Sequence, residues 1–380
     1  AESLINFRGP LIAAFQREGM TVLVAAPGLS ADSAVRQQLE AKGCLVHAIP
    51  LSRTGINPLM DTSSLVSLWW LMMRVKPSHV LCYTIKPVIY GSLAARFAGV
   101  PHRFALITGL GYAFSKLNES RKGRRSWIRS LVKLLYGQAF SGVHKIFFQN
   151  PDDEAVFRQL GLVRRAMESV VVNGSGVDLS VFKFTPVSLD HMRFLLVARL
   201  LGDKGVREFV NAATMVKKLH RNATFTIIGY LDENPDSINQ AELDQWIQNG
   251  IIEFGGKLDD VRPAIEKCTV YVLPSYREGT PRTVLEAMAM GRPIITTDAA
   301  GCRETVIDGD NGFLVPVKSV EALAEAMIRF INNPELIARM GQRSRQIAEE
   351  KYDVHKVNAA MLKAMGITPE AHNEHSSSNR

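Results

Sequence analysis

Short, continuous apolar runs alternate along the chain with longer stretches of helical periodicity. Strands that are buried on both faces of a parallel sheet read as continuous apolar runs rather than as alternating ones. Segments such as 206–220 and 320–333 carry the amphipathic period of helices between these runs. This alternation predicts a doubly wound α/β fold. The predicted strands cover residues 21–26, 44–49, 79–83, 103–107, 145–149, 169–172, 193–198, 224–229, 251–254, 269–273, 293–297 and 312–315.

Two such series flank the segment 173–190, which is rich in Gly, Ser and Pro and lacks periodicity. The first series opens on a helix at 6–19, so we expect the usual first strand of a doubly wound domain to be missing from this sequence. A ligand is expected where the carboxyl ends of the two sheets face each other. The predicted parts are an N-terminal domain over 1–182, a C-terminal domain over 183–350, a helix over 351–368 that crosses back to the N-terminal domain, and a disordered tail over 369–380.

The composition is that of a soluble globular protein, with 46% apolar and 22% charged residues in a chain of 380. The four cysteines lie far apart without a C-x-x-C spacing, which argues against a disulfide framework or a zinc knuckle. No run of about 18 apolar residues is present, so we expect no membrane span. The stretch 65–73 is predicted to be a buried helix, with an interfacial patch as the alternative.

Two glutamates stand eight positions apart in the segment 274–297. Glu278 lies in a Gly/Pro turn, whereas Glu286 is the only acid on an otherwise apolar helix. Thr280 is predicted to be the N-cap of that helix and Pro281 its first residue, where no N–H is needed. The helix begins shortly after a predicted strand, so its first amide groups and its dipole favour an anion such as a phosphate.

The spacing of these two carboxylates fits a nucleotide sugar. Glu286 lies roughly 7–8 Å along the helix axis from Pro281, at about 1.5 Å per residue. Ionised carboxylates accept strong paired hydrogen bonds from vicinal hydroxyl groups. We therefore predict that Glu286 binds a ribose and Glu278 a hexose, with the diphosphate near the helix start. The alternative for Glu286 is a helix-surface ion pair with Arg282, four residues before it.

Two bases flank a glycine-containing turn after the first strand of the second series. Arg199 and Lys204 are predicted to neutralise the charge that develops on a leaving diphosphate, because such electrostatic stabilisation dominates this chemistry. The alternative is a pair of solvated bases on a surface loop. Gly229 ends the next strand and would let the backbone approach the same ligand. Lys257 stands where a loop that binds the nucleotide base would fall.

The segments RLLGDKG, PSYREGTPRTVLEAMAMGRPII and GCRETVIDGDNGFLV resemble the retaining glycosyltransferases of family four. That family has the GT-B fold, in which two Rossmann-like, doubly wound parallel-sheet domains face each other across a cleft. The resemblance implies a nucleoside-diphosphate sugar as donor substrate, retention at the anomeric carbon, and no metal or other cofactor. The predicted catalytic residues are Glu278, Arg199 and Lys204. The predicted donor-binding residues are Gly229, Lys257, Ser275, Gly279, Thr280, Pro281, Leu285 and Glu286.

In the first half, SLINFRGPLI and LITGLGYAF look like the branch that adds N-acetylhexosamines to undecaprenyl-diphosphate-linked sugars. By this resemblance the donor is a UDP-sugar carrying N-acetylgalactosamine or N-acetylglucosamine. The acceptor is a lipid-linked sugar used for O-antigen, polysaccharide or protein glycosylation. Thr108 takes the place of a histidine that many relatives carry, so no histidine receives a catalytic role. The predicted acceptor-binding residues are Asn6, Arg8, Thr108, Gly109 and Gly111.

Charge is unevenly distributed along the chain. Residues 1–150 hold 18 Lys or Arg and 6 Asp or Glu, a net charge of +12, so the remainder carries 8 − 12 = −4. If 116–140 is helical, its bases form one stripe beside an apolar stripe, which is typical of helices that dock on anionic membranes. The alternative is that the apolar stripe packs on the sheet. The predicted membrane-contacting residues are Arg121, Arg125, Trp127, Arg129 and Lys133.

These patterns together predict a retaining glycosyltransferase at the cytoplasmic face of the inner membrane, peripheral to the bilayer. Nucleic acid is not expected as a partner, because no recognition motif accompanies the basic residues. The DGD at 308–310 is interpreted as a turn rather than a metal site. A nucleotide-sugar epimerase of the same architecture and a non-catalytic nucleotide-sugar-binding protein stay as alternatives.

Overall fold

The computed structural model describes residues 2–51, 58–109, 125–232, 234 and 236–367. The chain divides into two compact units, with breaks between Ser175 and Gly176 and between Val354 and His355. The second unit comprises residues 176–354. The first unit comprises the residues before 176 and after 354. Each unit is built from parallel strands and helices, which confirms the predicted α/β class.

The first break lies seven residues before the predicted domain boundary at 182. Val177 and Phe182 are buried in the core of the second unit, and Val177 forms a parallel bridge with Asp353. The end of the predicted linker therefore belongs to the second unit, because its apolar side chains find their burial there. The tail over 369–380 lies outside the described residues.

The described part of the first unit has six parallel strands in two sheets. One sheet pairs β1 with β2, and the other has the order β3-β4-β5-β6. The inner strands β4 and β5 are almost wholly buried, whereas Leu45 in β2 is 54% exposed. The strands are β1 (Leu23–Ala26), β2 (Leu45–Ala48), β3 (His79–Tyr83), β4 (His102–Ile107), β5 (Lys145–Phe148) and β6 (Glu168–Val171).

Before the first break, six α-helices accompany these strands in the described residues. They are α1 (Glu2–Arg17), α2 (Ala34–Ala41), α3 (Pro58–Val75), α4 (Ser92–Phe97), α5 (Arg125–Phe140) and α6 (Pro151–Gln159). The start of α6 shows how the sequence sets a helix boundary. The Asn150 side chain accepts a hydrogen bond of 2.7 Å from the Asp153 amide, and Pro151 occupies the first helical position.

The second unit contains one six-stranded parallel sheet of order β12-β11-β10-β7-β8-β9. This is the strand order of dinucleotide-binding domains, in which ligands bind at the carboxyl ends of the central strands. Every residue of β10 and β11 is buried, as the continuous apolar runs predict. The strands are β7 (Arg193–Val197), β8 (Thr224–Ile228), β9 (Glu253–Phe254), β10 (Val270–Leu273), β11 (Ile294–Thr297) and β12 (Gly312–Val315).

Helices cover both faces of this sheet, one face through α7 and α11 and the other through α10. The helices of the second unit are α7 (Val206–Leu219), α8 (Gln240–Gln248), α9 (Arg262–Lys267), α10 (Arg282–Ala289), α11 (Val320–Asn332) and α12 (Glu335–Ile347). All twelve strands expected from the sequence are present, each within two residues of its predicted ends.

The last described helix, α13 (Val354–Ala364), packs in the core of the first unit. Its Met361 and Leu362 share a cluster with Leu11 of α1 and Phe104 of β4. The second unit is therefore inserted, in sequence, between two parts of the first.

The prediction that 65–73 is a buried helix is wrong for one side of α3. Leu68 and Leu71 are buried, but Trp70 is 54% exposed and Met73 is 45% exposed. The run is apolar around most of the helix, and only one side of it faces the neighbouring helix α4 and the sheet. Among the described helices, none is both long and apolar enough to span a bilayer.

Candidate active site

The predicted catalytic residues lie at the carboxyl ends of two neighbouring strands of the second unit. Strands β7 and β10 pair in parallel, with Phe194 opposite Val270. The chain leaves β7 through Arg199 and a short 3₁₀ turn, Gly202–Lys204, and then enters α7. It leaves β10 through the turn that carries Glu278. Parallel pairing therefore brings both connections to the same edge of the sheet.

Close backbone packing holds these two connections together. Gly205 has a φ of 70°, and a Cβ placed on it would overlap the carbonyl oxygen of Pro274. Only glycine tolerates both this conformation and this approach. In addition, the Tyr276 amide donates a hydrogen bond of 2.8 Å to the carbonyl oxygen of Asp203.

Lys204 and Glu278 form an ion pair across the two connections. The Lys204 Nζ atom lies 2.5 Å from Glu278 Oε1, and each side chain is only 16% exposed. Burial alone would lower the pKa of Lys204, but the charge and hydrogen bond of Glu278 and the charge of Asp203 outweigh it, so the pKa is raised. The Lys204 side chain is therefore an ammonium ion throughout the neutral range.

A second cation stands beside this pair. The Arg199 Nη1 atom lies 3.0 Å from Asp232 Oδ2, and the Arg199 side chain is 40% exposed. The pKa of Asp203 is raised mainly by burial, and the charges of Lys204 and Arg199 act against this shift. We call this set of Arg199, Asp203, Lys204, Asp232 and Glu278 the charged edge.

The loop after β11 fixes the position of the Glu278 turn. The Glu278 amide donates a hydrogen bond of 2.9 Å to the carbonyl oxygen of Ala300. Gly301 has a φ of 80°, and a Cβ on it would overlap the carbonyl oxygens of Glu278 and Gly279. The hydroxyl group of Thr297 donates to the carbonyl oxygen of Ser275. The Glu278 turn is thus packed against a neighbouring loop rather than exposed as a flexible connection.

Helix α10 begins one residue later than predicted. Pro281 is the N-cap residue and makes no side-chain capping bond, so the prediction that Thr280 is the N-cap is wrong. The carbonyl oxygen of Pro281 accepts from the amide of Val284, which closes the first turn. The helix then ends at Ala289. Pro281 cannot donate a hydrogen bond and has an extended ψ, which makes it suited to precede a helix.

Glu286 is almost wholly buried on α10. Its residue is 6% exposed, and Oε1 accepts a hydrogen bond of 2.9 Å from Nε of Arg282. Burial raises the pKa of Glu286 to about 7, Arg282 opposes this shift, and the charge of Asp260 adds to it. The ion pair considered as an alternative is therefore present, but it is buried and not a solvated pair on the helix surface.

Other predicted donor-binding residues have different surroundings. A Cβ on Gly229 would overlap the carbonyl oxygen of Ala198, so the end of β7 is what requires a glycine here. Lys257 is exposed after β9, with its Nζ 5.7 Å from the centre of the Tyr230 ring. The Leu285 side chain is 1% exposed and packs in the core, so it is a core residue rather than a surface that a ligand can reach.

Ser275 and its neighbours line the end of β10. Ser275 is fully buried, and its Oγ atom has no hydrogen-bond partner among the described residues. Pro281 is buried, whereas Gly279 and Thr280 are partly exposed. The partly exposed part of the turn therefore runs from Tyr276 to Thr280.

Three of the predicted acceptor residues, Arg8, Thr108 and Gly109, lie at the carboxyl ends of β3 and β4. Arg8 is 6% exposed, its guanidinium lies 5.0 Å from the centre of the Tyr83 ring at the end of β3, and its Nη1 is 3.3 Å from Ser175 Oγ. Thr108 and Gly109 directly follow β4 and are partly exposed. Asn6 is exposed on α1, and Gly111 lies outside the described residues.

The predicted membrane residues are described only in part. The backbone from residue 125 onward is helical in α5, and Lys133 is exposed. Arg121 and the side chains of Arg125, Trp127 and Arg129 lie outside the described residues. On the described part of α5, Leu134 is 59% exposed and Tyr136 is buried.

The described part of the chain contains no cluster of side chains suited to bind a metal ion. No group of three His, Cys, Asp or Glu side chains there could hold an ion. Asp308 accepts a hydrogen bond of 2.9 Å from the Leu314 amide, and Asp310 pairs with Arg343 at 2.9 Å. Both aspartates thus serve the turn into β12. The four cysteines are buried thiols.

A depression of about 870 Å³ lies at the opposite edge of the same sheet, near the amino ends of β7 and β8. It is lined by the segments around His191 and His220. Ligands of doubly wound sheets bind at the carboxyl ends, where the charged edge lies. We therefore regard the charged edge as the candidate active site.

Sequence reasoning missed the acids that pair with or surround the predicted cations. Asp232 lies 33 positions from Arg199, and Asp203 is adjacent to Lys204 in the short 3₁₀ turn. Only the parallel pairing of β7 with β8 brings Asp232 to the same edge. In the sequence, the one indication that Asp232 lies at this edge is its position shortly after a predicted strand.

Two family models match the chain, one in each half. Residues 5–150 match the model described as Glycosyl transferase 4-like, and residues 191–333 match the model described as Glycosyl transferases group 1. The second match contains the whole charged edge.

Relatives and solved structures agree with these matches. The chain is 28% identical to N,N'-diacetylbacillosaminyl-diphospho-undecaprenol alpha-1,3-N-acetylgalactosaminyltransferase of Campylobacter jejuni, with 95% of each chain covered. It is 28% identical to UDP-Gal:alpha-D-GlcNAc-diphosphoundecaprenol alpha-1,3-galactosyltransferase of Escherichia coli, with 76% of this chain and 75% of that one covered. HepE of Anabaena, solved with UDP-glucose, aligns with a TM-score of 0.73 and 20% identity over 94% of each chain.

Proposed function

The chain belongs to the glycosyltransferases of the GT-B fold, with a Glycosyl transferase 4-like first half and a Glycosyl transferases group 1 second half, and from this premise we propose its substrates and its stereochemistry. The proposed reaction moves a hexose or an N-acetylhexosamine from a UDP-sugar to a polyprenyl-diphosphate-linked acceptor, with retention at the anomeric carbon. N-acetylgalactosamine and N-acetylglucosamine are the proposed sugars. The process served is the assembly of an O-antigen, another bacterial polysaccharide or a glycoprotein glycan.

The observation that carries this proposal is the Lys204–Glu278 pair beside Arg199. A departing diphosphate needs cations that are already in place and partly withdrawn from water. The raised pKa keeps Lys204 charged, and its position between Asp203 and Glu278 leaves it well oriented at the edge of the sheet. Arg199 is more exposed and pairs with Asp232. Both cations are proposed to share their charge with the donor diphosphate.

The two glutamates are proposed to bind the two ends of the donor. Glu278 is proposed to accept hydrogen bonds from hydroxyl groups of the transferred sugar, together with the backbone of Gly279 and Thr280. Glu286 is proposed to accept from the ribose hydroxyls of the nucleotide. With a pKa of about 7, Glu286 is half ionised near neutral pH and becomes fully ionised for this task as the pH rises further.

The acceptor is proposed to bind to the first unit, near Arg8, Thr108 and Gly109. Arg8 provides a cation at the carboxyl ends of β3 and β4, where its guanidinium stacks on Tyr83. The two relatives reported above are named for acceptors or products that contain diphospho-undecaprenol, which supports an acceptor of this class.

In the proposed mechanism, the bond between the anomeric carbon and the donor diphosphate breaks as the acceptor hydroxyl forms its bond on the same face of the sugar. The acceptor proton passes to an oxygen of the departing diphosphate. Lys204 and Arg199 stabilise the negative charge that builds up on that group. No protein nucleophile, metal or other cofactor is assigned a step.

A lipid-linked acceptor places the enzyme at a membrane. We propose a peripheral location at the cytoplasmic face of the inner membrane, with an anionic lipid surface as partner and no role for nucleic acid. The predicted contacts on and before α5, from Arg121 to Lys133, stay part of this proposal.

The proposed reaction is tested with a panel of nucleotide sugars and polyprenyl-diphosphate sugars. Mass spectrometry should detect an acceptor product that is heavier by one sugar residue, with a UDP-N-acetylhexosamine giving the highest rate. The anomeric coupling constant of the product by NMR should equal that of the donor sugar. An inverted linkage would refute retention. Activity that is lost in EDTA and restored by a divalent ion would refute metal independence.

Two alternatives are separated by the same reagents. An epimerase converts the UDP-sugar to its epimer when no acceptor is present, so chromatography of an acceptor-free incubation identifies it. A non-catalytic binding protein retains the UDP-sugar in equilibrium dialysis but modifies no acceptor in the panel.

A further inference from the structure

One side of α3 presents a continuous apolar surface. Its large apolar side chains are exposed to solvent: 54% for Val66, 39% for Trp69, 54% for Trp70 and 45% for Met73. Leu59, which lies about two turns before Val66, is 84% exposed. Leu59, Val66, Trp70 and Met73 lie seven, four and three residues apart, which places them on one side of a helix. Between them stand Thr62 and Ser63, which are uncharged.

The surface continues onto α4. Phe97 is 64% exposed and forms a shallow apolar depression with Leu65, Val66 and Trp69. We call the exposed residues Leu59, Val66, Trp69, Trp70, Met73 and Phe97 the α3 face. Monomeric soluble proteins rarely expose so many large apolar side chains in one place.

The stretch of sequence that forms the α3 face carries almost only positive charge. Asp61 is the only Asp or Glu between Glu40 and Glu119 in the sequence. It is 4% exposed and lies 2.9 Å from the Nζ atom of Lys86, so it contributes little negative charge at the surface.

The bases at the border of the face are exposed. Arg74, Lys76 and Arg96 lie at the ends of α3 and α4, and none of them forms an ion pair with any described residue. Arg74 stacks on the Trp70 ring at 5.4 Å from its centre, and Arg96 donates to the Ser141 hydroxyl group. We call Arg74, Lys76 and Arg96 the basic rim.

We propose that the α3 face docks into an anionic lipid surface, with the basic rim in contact with the lipid headgroups. Tryptophan is favoured at the boundary between headgroups and acyl chains, because its ring is apolar and its N–H is polar. Lysine and arginine around an apolar face add attraction to anionic lipids. A border of a single sign of charge fits a uniform anionic surface, whereas interfaces between copies of one chain need both signs or none.

This docking surface is formed by residues of α3 and α4 rather than by the predicted membrane residues on and before α5, and it does not depend on the identity of the transferred sugar. It deepens the proposed function, since a lipid-linked acceptor requires an enzyme that stays at the bilayer. The α3 face lies in the first unit, which also holds the proposed acceptor residues.

The test uses the intrinsic fluorescence of α3. The chain has four tryptophans, so the Trp127→Phe and Trp246→Phe background leaves only Trp69 and Trp70. Vesicles contain phosphatidylethanolamine and phosphatidylglycerol, with bromine atoms on the acyl chains of the phosphatidylglycerol. We expect the emission to shift to shorter wavelength and to be quenched on addition of these vesicles, and vesicles of phosphatidylcholine alone to have a much smaller effect.

Substitutions locate the contact. Trp70→Glu should weaken binding to anionic vesicles about 10- to 100-fold, because it removes the burial of a large side chain from the lipid contact. The matched control is Leu219→Glu, at a residue of the second unit that is 72% exposed. This control should leave binding unchanged. Circular dichroism checks that each variant is folded.

Three results would overturn the proposal. One is co-sedimentation of the protein with vesicles while Trp69 and Trp70 stay unquenched, since docking then occurs elsewhere. A second is equal loss of binding in Leu219→Glu and Trp70→Glu. A third is a dimer in sedimentation velocity without lipid that Trp70→Glu dissociates, since a second copy then covers the face. No sugar substrate is present in these measurements, so a failure of the proposed glycosyl transfer leaves them interpretable.

Discussion

The charged edge of the second unit and the α3 face of the first unit use charge in opposite ways. At the charged edge, each cation has an acidic partner from another element: Lys204 has Glu278 and Arg199 has Asp232. The basic rim of the α3 face forms no ion pair with a described residue, and the one acid in that stretch of sequence, Asp61, is buried against Lys86. Paired charges are fixed in direction and act at short range, whereas the rim charges attract any anionic surface.

This difference teaches what each arrangement can select. A small anionic ligand must compete with Glu278 and Asp232 for the cations, so only a ligand with matching geometry gains from binding there. A lipid surface needs no such geometry. Exposure follows the same division, since the Lys204 side chain is 16% exposed and that of Arg199 is 40% exposed, while the rim bases are exposed.

The largest effect is expected at the buried pair. Lys204→Ala should lower turnover about 10²–10³-fold, since it removes a preorganised cation from the leaving group. Glu278→Ala should lower turnover to a similar extent. Initial rates at saturating UDP-sugar measure this change. The matched control is Arg343→Ala, which breaks an ion pair with Asp310 in the same unit. Near-normal turnover in either site variant would remove the charged edge from catalysis.

Glu286→Gln should separate stability from donor binding. The folded-state pKa of Glu286, about 7, lies above its ordinary value of 4.5, so folding takes up a proton between these values. The contribution of Glu286 to the free energy of unfolding is therefore fully present below pH 4.5 and is lost as the pH rises through 7. The substitution removes this loss and should raise the free energy of unfolding at pH 8 by up to roughly 3 kcal/mol, at about 1.4 kcal/mol per pKa unit.

Urea denaturation at pH 8 and pH 5 measures the stability change, which should be smaller at pH 5. The same variant should raise the KM for the UDP-sugar, because an amide accepts ribose hydroxyls less strongly than a carboxylate. The wild-type KM should rise as the pH falls below about 7, and this dependence should vanish in Glu286→Gln. Glu325→Gln, an exposed glutamate on α11, is the control. A variant with unchanged KM would contradict the ribose assignment.

Arg199 is the more exposed cation of the charged edge and should show an intermediate effect. Arg199→Ala is expected to lower turnover roughly tenfold, less than Lys204→Ala, because solvent already screens this more exposed side chain. Salt should screen Arg199 more than the buried Lys204. Raising the salt concentration should therefore lower the wild-type rate to about that of Arg199→Ala, and not to the lower rate of Lys204→Ala. If Arg199→Ala lowers turnover as much as Lys204→Ala does, the exposure of a cation does not determine how much it contributes to turnover.

The smallest effect is expected from single charges of the basic rim. Arg74→Ala or Lys76→Ala should each weaken binding to anionic vesicles by about 1 kcal/mol, roughly fivefold. Turnover on a detergent-solubilised acceptor should stay unchanged. Vesicle sedimentation at two salt concentrations measures the binding. Equal binding at both concentrations would mean that the rim makes no electrostatic contribution.

The strands were predictable because burial on both faces leaves a direct record in the sequence. β10 is fully buried and reads as an unbroken apolar run, whereas the equally buried β11 ends in two threonines whose hydroxyl groups donate to backbone carbonyl oxygens. The positions of Glu278 and Arg199 at strand ends were predictable for the same reason. The Thr280 N-cap was not, since Pro281 can occupy either the N-cap or the first helical position.

Two further features depend on contacts that span long stretches of sequence. The pairing of Arg199 with Asp232 requires the register of β7 on β8, which no local pattern contains. The exposure of Trp70 depends on how few elements pack against α3, and an apolar run alone does not report this. Sequence patterns thus identify which residues are apolar or charged, whereas packing decides which of them meet a partner within the chain.

The place of α13 in the core of the first unit has a consequence for synthesis of the chain. Leu11 and Phe104 emerge from the ribosome early, but Met361 and Leu362, with which they pack, emerge after the whole second unit. The second unit can therefore complete its own sheet while the first is still waiting for its last helix. Until translation reaches that point, Leu11 and Phe104 lack the apolar side chains that cover them in the folded protein.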